Sequence, residues 1–166
     1  DLITNNADEI LANPEIDIIV EVMGGQKSAF SYIMKSISLG KHVVTANKEV
    51  MARFGTDIMD AAHNNGVKVM FEASVCAGTP IISPLSNDLV TNNISKIHGI
   101  INGTTNYILT RMSQDSMSFE EALSEAQRLG FAESEPANDI EGTDAAYKLA
   151  ILSTLAFKTR VIDSDV

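Results

Sequence analysis

Short apolar runs and longer amphipathic stretches alternate along the first half of the chain. Residues 16–23, I-D-I-I-V-E-V-M, are few and rich in β-branched side chains, the composition of a strand buried in a parallel sheet. Gly24 and Gly25 close that run with a turn that lets backbone approach another group. Residues 27–39 follow with helical periodicity and stop at Gly40. A second strand is expected at 42–45, a second helix at 47–65 and a third strand at 67–73. Gly55 is a weak point inside that helix, and Gly66 ends it. Strand, helix, strand, helix, strand is the rhythm of a parallel α/β sheet with right-handed crossovers.

Beyond Pro80 the texture changes. Residues 81–90 read as a helix interrupted at Pro84, 94–101 as a strand ending in N-G-T-T-N, and 107–114 as a helix. Ser118 and Glu121 spell a capping box for the next helix, which Gly130 ends. The expected fold class is α/β: the later part of a parallel sheet over residues 1–73, then an α+β unit over 74–166. Dinucleotide-binding domains open with G-x-G-x-x-G and carry an acidic residue about 20 positions on. No such run occurs here, and the chain reads as a piece of something longer.

Ligands of parallel sheets bind at the carboxyl ends of the strands. Three stretches fall there: Gly24-Gly25, Thr45-Ala46-Asn47-Lys48, and residues 72–78. Each alone has a plain reading as a turn or a solvated charge; their common edge makes them a candidate site. A fourth stretch, residues 133–150, runs E-S-E-P-A-N-D-I-E-G-T-D-A-A-Y-K-L-A. Thr143 is its expected helix N-cap. Asp144 then lies in the first turn, where the helix dipole favours a carboxylate, and Lys148 shares its face. As a surface pair these two would be worth only about 0.3–0.5 kcal/mol. The rest of the helix is apolar nearly all round, which implies burial, and buried charges need partners or a task.

Composition narrows the function. With 166 residues, 45% of them hydrophobic, a substantial core is available. The formal charge of −10, with no basic stripe, argues against nucleic acid as a partner. The apolar runs are too short to span a membrane, and the first residues lack the features of a signal peptide. One cysteine, Cys76, excludes an intrachain disulfide and fits a cytoplasmic protein. Asp139, Glu141 and Asp144 lack the spacing of a calcium loop. His42, His63 and His98 are scattered, and Cys76 has no evident paired base.

The run 126–148, A-Q-R-L-G-F-A-E-S-E-P-A-N-D-I-E-G-T-D-A-A-Y-K, resembles the signature of homoserine dehydrogenases. V-V-T-A-N-K at 43–48, F-E-A-S-V at 71–75 and G-I-I-N-G-T-T-N-Y-I-L at 99–109 are similar to the same family, in the same order. The resemblance implies a Rossmann nucleotide domain, here in part, followed by a catalytic, substrate-binding and dimerisation domain. It implies NAD(P)-dependent interconversion of L-homoserine and L-aspartate-4-semialdehyde, on the route to threonine, methionine and isoleucine, in a cytoplasmic homodimer. By the same resemblance Lys148 exchanges the proton at the reacting oxygen, Lys48 is a second active-site lysine, and Glu133 and Asp144 hold the substrate. Gly24, Gly25, Thr45, Asn47 and Lys48 would meet the cofactor. Glu72, Val75, Ala77 and Thr79 mark a loop whose backbone oxygens would ligate sodium. Three positions depart from the family pattern: Glu135 where aspartate is usual, Cys76 where a smaller residue is common, and Gln26-Lys27-Ser28 in place of a stretch that often contains proline.

The implied chemistry suits these residue types. Hydride reduction of an aldehyde leaves an alkoxide to protonate, and the reverse direction needs a base; a lysine serves both when burial and a nearby cation tune it and a carboxylate opposes them. The substrate's α-ammonium calls for an anion, which Glu133 or Asp144 supplies. Without the phosphate fingerprint these 166 residues are expected to be inactive alone, and a non-catalytic, dimerising module is the alternative.

Overall fold

The computed structural model describes residues 3–76 and 78–166. A short helix, α1 (Ala7–Ala12), precedes strand β1 (Ile18–Glu21), helix α2 (Lys27–Ser38), strand β2 (His42–Thr45), helix α3 (Lys48–Asn64) and strand β3 (Val69–Met70). The strands form one parallel sheet in the order β1-β2-β3, with Glu21 opposite Thr45 and Val44 opposite Met70. Alternation places Val43 and Val69 on the buried face. There they meet Ala29, Ile33 and Ile37 of α2 and Val50, Ile58 and Ala62 of α3. Each fully buried aliphatic side chain contributes about 1.5–3 kcal/mol relative to exposure. The opposite face, with Ile18, Val20, Val44 and Met70, is exposed.

Helices dominate the remaining described residues: α4 (Gly103–Asp115), α5 (Phe119–Leu129), α6 (Ala137–Ile140) and α7 (Thr143–Phe157). α4 and α5 close a small core of Ile108, Ala122, Ala126 and Ala132. Local signals act where expected. Ser118 and Glu121 form a reciprocal capping box at α5, and Gly130 ends it at φ +80°. α7 lies on α3, so that Tyr147, Ala150, Ile151 and Leu152 join the core under the sheet. That packing fixes the start of α7 near the carboxyl ends of the strands.

Several expectations are corrected. Residues 94–101 form no strand: among the described residues no backbone ladder pairs with them, and a strand needs a partner. Ile94, Ile97 and Ile101 instead lean on the core while Ile100 stays exposed. The fold class is the expected α/β with a parallel sheet, while the described residues of 74–166 contribute helices and irregular chain. The third strand is cut to two residues by a 3₁₀ turn at Glu72–Ser74. Pro84 sits at the start of a π-helical turn, Pro84–Asp88, where Leu89 N–H reaches back to the Pro84 carbonyl. Thr143 is not the cap of α7; Gly142, at φ +80°, takes that position without a side-chain bond. α7 is also not buried all round, since Leu149 and Phe157 are exposed.

Candidate active site

β1 and β2 end side by side at two buried polar residues. Thr45 Oγ1 donates to Glu21 Oε2 at 2.6 Å, and Met23 N–H donates to Glu21 Oε1 at 2.7 Å. Asn47 N–H donates to Thr45 Oγ1 at 3.0 Å. The Asn47 side chain caps α3, its Oδ1 accepting from Val50 N–H at 3.1 Å. Its Nδ2 donates to the carbonyls of Gly25 (2.8 Å) and Met23 (3.2 Å). One asparagine thus ties the glycine turn to the helix that begins with Lys48. At Gly24 and Gly25 an added Cβ meets nothing within 4 Å, so the turn faces open space, and Gly25 has the positive φ of +78° that favours glycine.

Gln26, one of the departures from the family pattern, is built into the scaffold. Its amide donates to Glu49 Oε1 at 2.7 Å and accepts from Arg53 Nη1 at 2.9 Å. Tyr147 Oη, from α7, reaches the same Glu49 oxygen at 3.3 Å.

The centre of the site is Asp144, in the first turn of α7 and almost fully buried. Its Oδ1 pairs with the Lys48 ammonium. Its Oδ2 accepts from Lys148 Nζ at 2.6 Å and from Asn102 Nδ2 at 2.9 Å. Burial opposes the Asp144 charge, but hydrogen bonds from Lys148, Lys48 and Asn102 outweigh it and hold its pKa below the usual value. Lys148 Nζ also donates to the Ile101 carbonyl at 2.8 Å. Asp139 is held by Asn102 Nδ2 at 2.8 Å and Thr104 Oγ1 at 2.9 Å.

Two clefts open from this cluster, and Lys48, Asp139 and Asp144 line both. The larger, about 630 Å³, also takes Lys148, Tyr107 and Phe131 into its walls. The smaller, about 170 Å³, adds Glu133, Glu135 and Tyr147. Glu133 is exposed, and among the described residues its carboxylate has no hydrogen-bond partner. A separate cavity of about 310 Å³ between α3 and α7 is apolar and contains none of these acids or lysines.

The loop after β3 sits beside the site. Ser74 Oγ donates to the Thr45 carbonyl at 3.4 Å. The Glu72 carboxylate accepts backbone N–H groups from Ile81 (2.6 Å), Ile82 (2.8 Å) and Ser83 (2.9 Å). Burial works against its charge, yet these donors lower its pKa. Cys76 has φ +54°, its side chain packs on the core, and its carbonyl accepts Thr79 N–H at 2.8 Å. Val75 is buried, and Ala77 lies outside the described residues. Among the described residues no cluster of three His, Cys, Asp or Glu side chains could hold a metal ion, and no helix is long and apolar enough to cross a membrane.

Of the residues singled out from sequence, Lys48, Lys148 and Asp144 are in direct contact. Glu133 lines an adjoining cleft, and Gly25, Asn47 and Thr45 form one hydrogen-bonded chain leading to Lys48. Glu72 faces away from the site toward residues 81–83. Asn102, Thr104 and Tyr147 were not singled out, and Asp139 only as a candidate metal ligand. The signal for Asn102 was its position just before a helix, where it caps α4 through Thr105 N–H.

Two family models match the chain. One, described as homoserine dehydrogenase, covers residues 80–166; the other, homoserine dehydrogenase NAD binding domain, covers 1–72. The homoserine dehydrogenase of Synechocystis sp. is 49% identical over all 166 residues, which span 38% of that protein. The crystal structure of a homoserine dehydrogenase from Thiobacillus denitrificans superposes with a TM-score of 0.91 at 48% identity, over 97% of this chain and 37% of that one. A hyperthermophilic archaeal homoserine dehydrogenase in complex with NADPH gives 0.87 at 32% identity, over 96% of this chain and 50% of that one. The chain thus spans well under half the length of its curated relatives. Matched by both models in succession and by these relatives along its length, the chain belongs to the homoserine dehydrogenase family.

Proposed function

We propose that this chain carries the reaction centre of an NAD(P)-dependent homoserine dehydrogenase, an oxidoreductase acting on the CH–OH group of L-homoserine to give L-aspartate-4-semialdehyde. The observation that carries the reading is Asp144, buried at the junction of two clefts and clasped by both Lys48 and Lys148. Such a triplet of opposite charges offers both a proton donor and an anchor for a zwitterionic amino acid.

Lys148 Nζ is assigned the proton at the substrate oxygen: it gives it to the alkoxide during reduction and takes it during oxidation. Lys48 is the second cation at that oxygen. Both Asp144 oxygens already carry donors, which leaves Glu133, whose carboxylate has no partner among the described residues, to receive the α-ammonium, with Asp144 holding the lysines in place. A bound nicotinamide supplies the hydride step itself. The open Gly24–Gly25 turn, fastened by Asn47 next to Lys48, fits the reacting half of that cofactor. Thr45, fully buried and committed to Glu21, supports that turn from below.

The domain division proposed is 1–73 for the nucleotide part and 74–166 for the catalytic, substrate-binding and dimerisation part, in a cytoplasmic homodimer serving amino-acid biosynthesis. A monovalent cation, sodium by preference, is assigned to carbonyl oxygens of the loop containing Val75, Ala77 and Thr79. Glu72 braces that loop by holding residues 81–83. The second reading is a folded, dimerising module without turnover of its own.

Homoserine-dependent formation of NADH or NADPH at alkaline pH tests the proposal, with Lys148→Ala as the comparison. Turnover that disappears in the variant supports the assigned proton transfer. Turnover that survives unchanged in the variant overturns it, and its absence from both proteins favours the second reading.

A further inference from the structure

Asn102 has the arrangement of a residue that holds the site together. It is 8% exposed and sits just before α4. Its Oδ1 accepts from Thr105 N–H and Thr105 Oγ1, both at 2.9 Å. Its Nδ2 donates to Asp139 Oδ1 at 2.8 Å and Asp144 Oδ2 at 2.9 Å. This network admits one amide orientation. A flipped amide would set its oxygen against two carboxylates and its NH₂ against a backbone N–H.

We propose that Asn102 is a positioning residue for the reaction centre, its single NH₂ bridging the carboxylates of α6 and α7 and keeping Asp144 aimed between Lys48 and Lys148. The proposal rests on the reading of Asp144 as the carboxylate that organises the site. The other two donors to Asp144 are flexible: the Lys48 side chain is 42% exposed, and each lysine ends a long stem. The asparagine is short and anchored by the backbone of α4, so it stays when an ammonium leaves. Asp139 and Asp144 are like charges on neighbouring elements, and a shared donor is what lets them face the same space. The charged and titratable groups around Asp144 are Lys48 of α3, Lys148 and Tyr147 of α7, Asp139 of α6, and Glu133 and Glu135 of the loop before it.

Capping and positioning can be separated, because Asp and Ser cap helices about as well as Asn does. Asn102→Ser and Asn102→Asp therefore keep the start of α4 while removing the NH₂. The measurement is the ¹³C carboxyl titration of Asp144 by NMR, together with the thermal midpoint of each protein. The expected result is a thermal midpoint within a few degrees of the parent. The proton affinity of Asp144 should rise about tenfold or more in Asn102→Ser, the scale of one lost hydrogen bond to a charge. It should rise further in Asn102→Asp, where a third carboxylate joins the cluster. An Asp144 titration unmoved in Asn102→Ser would reduce Asn102 to a helix cap and overturn the proposal, as would unfolding of both variants. The titration needs no turnover, so a failure of the proposed reaction would leave it readable.

Discussion

Lys48, the first residue of α3, is ion-paired with Asp144 in the first turn of α7. The two helix N-termini treat these charges differently. The dipole of α7 favours its carboxylate, whereas that of α3 disfavours an ammonium at its start. The pair offsets the unfavourable placement of Lys48, and Lys148 completes the clasp. Asp144→Asn keeps the shape but leaves two ammonium groups without their anion, one of them mostly buried. We expect a loss of roughly 2 kcal/mol, the order of a hydrogen bond to a charged group. The pH dependence has a definite sign. The folded pKa of Asp144 is depressed, so its contribution is complete above the unfolded aspartate value and fades as pH falls through the folded one. Urea unfolding at several pH values should show parent and variant separated by a constant amount from pH 8 to about 5, converging below about pH 4. A gap that stays constant down to about pH 2 would contradict the assignment.

Glu72 bridges the end of the sheet to the turn that follows Pro80. Its carboxylate accepts three consecutive backbone N–H groups, which have no intrahelical partners at the start of a helical segment. Glu72→Gln replaces one acceptor oxygen with an NH₂ pointing at donors, so at least one N–H is left unpaired. The expected cost is about 1–3 kcal/mol. Here too the folded pKa is lowered, and the stabilisation present near neutrality is lost as pH falls through it. Denaturant midpoints of parent and variant, compared near neutrality and in acid, check both the size and the direction.

The legible parts of the sequence were those whose signals are local. β2 lies at 42–45 as its β-branched run implies, and the Ser118–Glu121 box and Gly130 mark α5 at both ends. The i,i+4 spacing of Asp144 and Lys148 foretold their contact. What failed depended on the surroundings. Residues 94–101 have the composition of a strand, but no neighbouring ladder is among the described residues. Thr143 looked like a cap, yet Gly142 adopts the left-handed conformation first and displaces it by one residue. The contact of Lys48 with Asp144 could not follow from spacing, because packing of α7 on α3 creates it; the family resemblance implies only that both residues belong to one active site. Asn102 and Asp139 stayed hidden for the same reason, their roles arising where three helices meet.

Tyr147 offers a spectroscopic handle on the wall of the smaller cleft. Burial, reinforced by the charge of Glu49, raises its pKa above the ordinary tyrosine value. Absorbance titration of tyrosinate should therefore contain a late component at alkaline pH that vanishes in Tyr147→Phe. Glu49 keeps its bond from Gln26 in that variant, so the stability change should stay within about 1 kcal/mol. Because the folded pKa is raised, any contribution of the neutral phenol persists below the unfolded value, about 10, and is lost as pH rises through the folded one. A titration curve identical in parent and variant would count against the placement of Tyr147.

Residues 94–101 make the proposed homodimer testable. Among the described residues their backbone has no ladder partner, Ile94, Ile97 and Ile101 pack on the core, and Ile100 projects outward at 72% exposure. Apart from the Ile101 carbonyl, which Lys148 occupies, this segment offers backbone N–H and C=O groups and an outward apolar side chain as a template for strand addition. A twofold axis requires the same patch on both subunits, which one segment pairing antiparallel with its own copy satisfies. Sedimentation equilibrium should then report twice the chain mass for the parent protein. Ile100→Glu puts one carboxylate from each subunit into the shared sheet, where a charge without a partner is costly to bury. The variant should sediment as a monomer with an unchanged far-ultraviolet spectrum, since Ile100 supports nothing within its own subunit. A parent protein that is folded and monomeric at the highest concentrations reached would remove this segment as the interface.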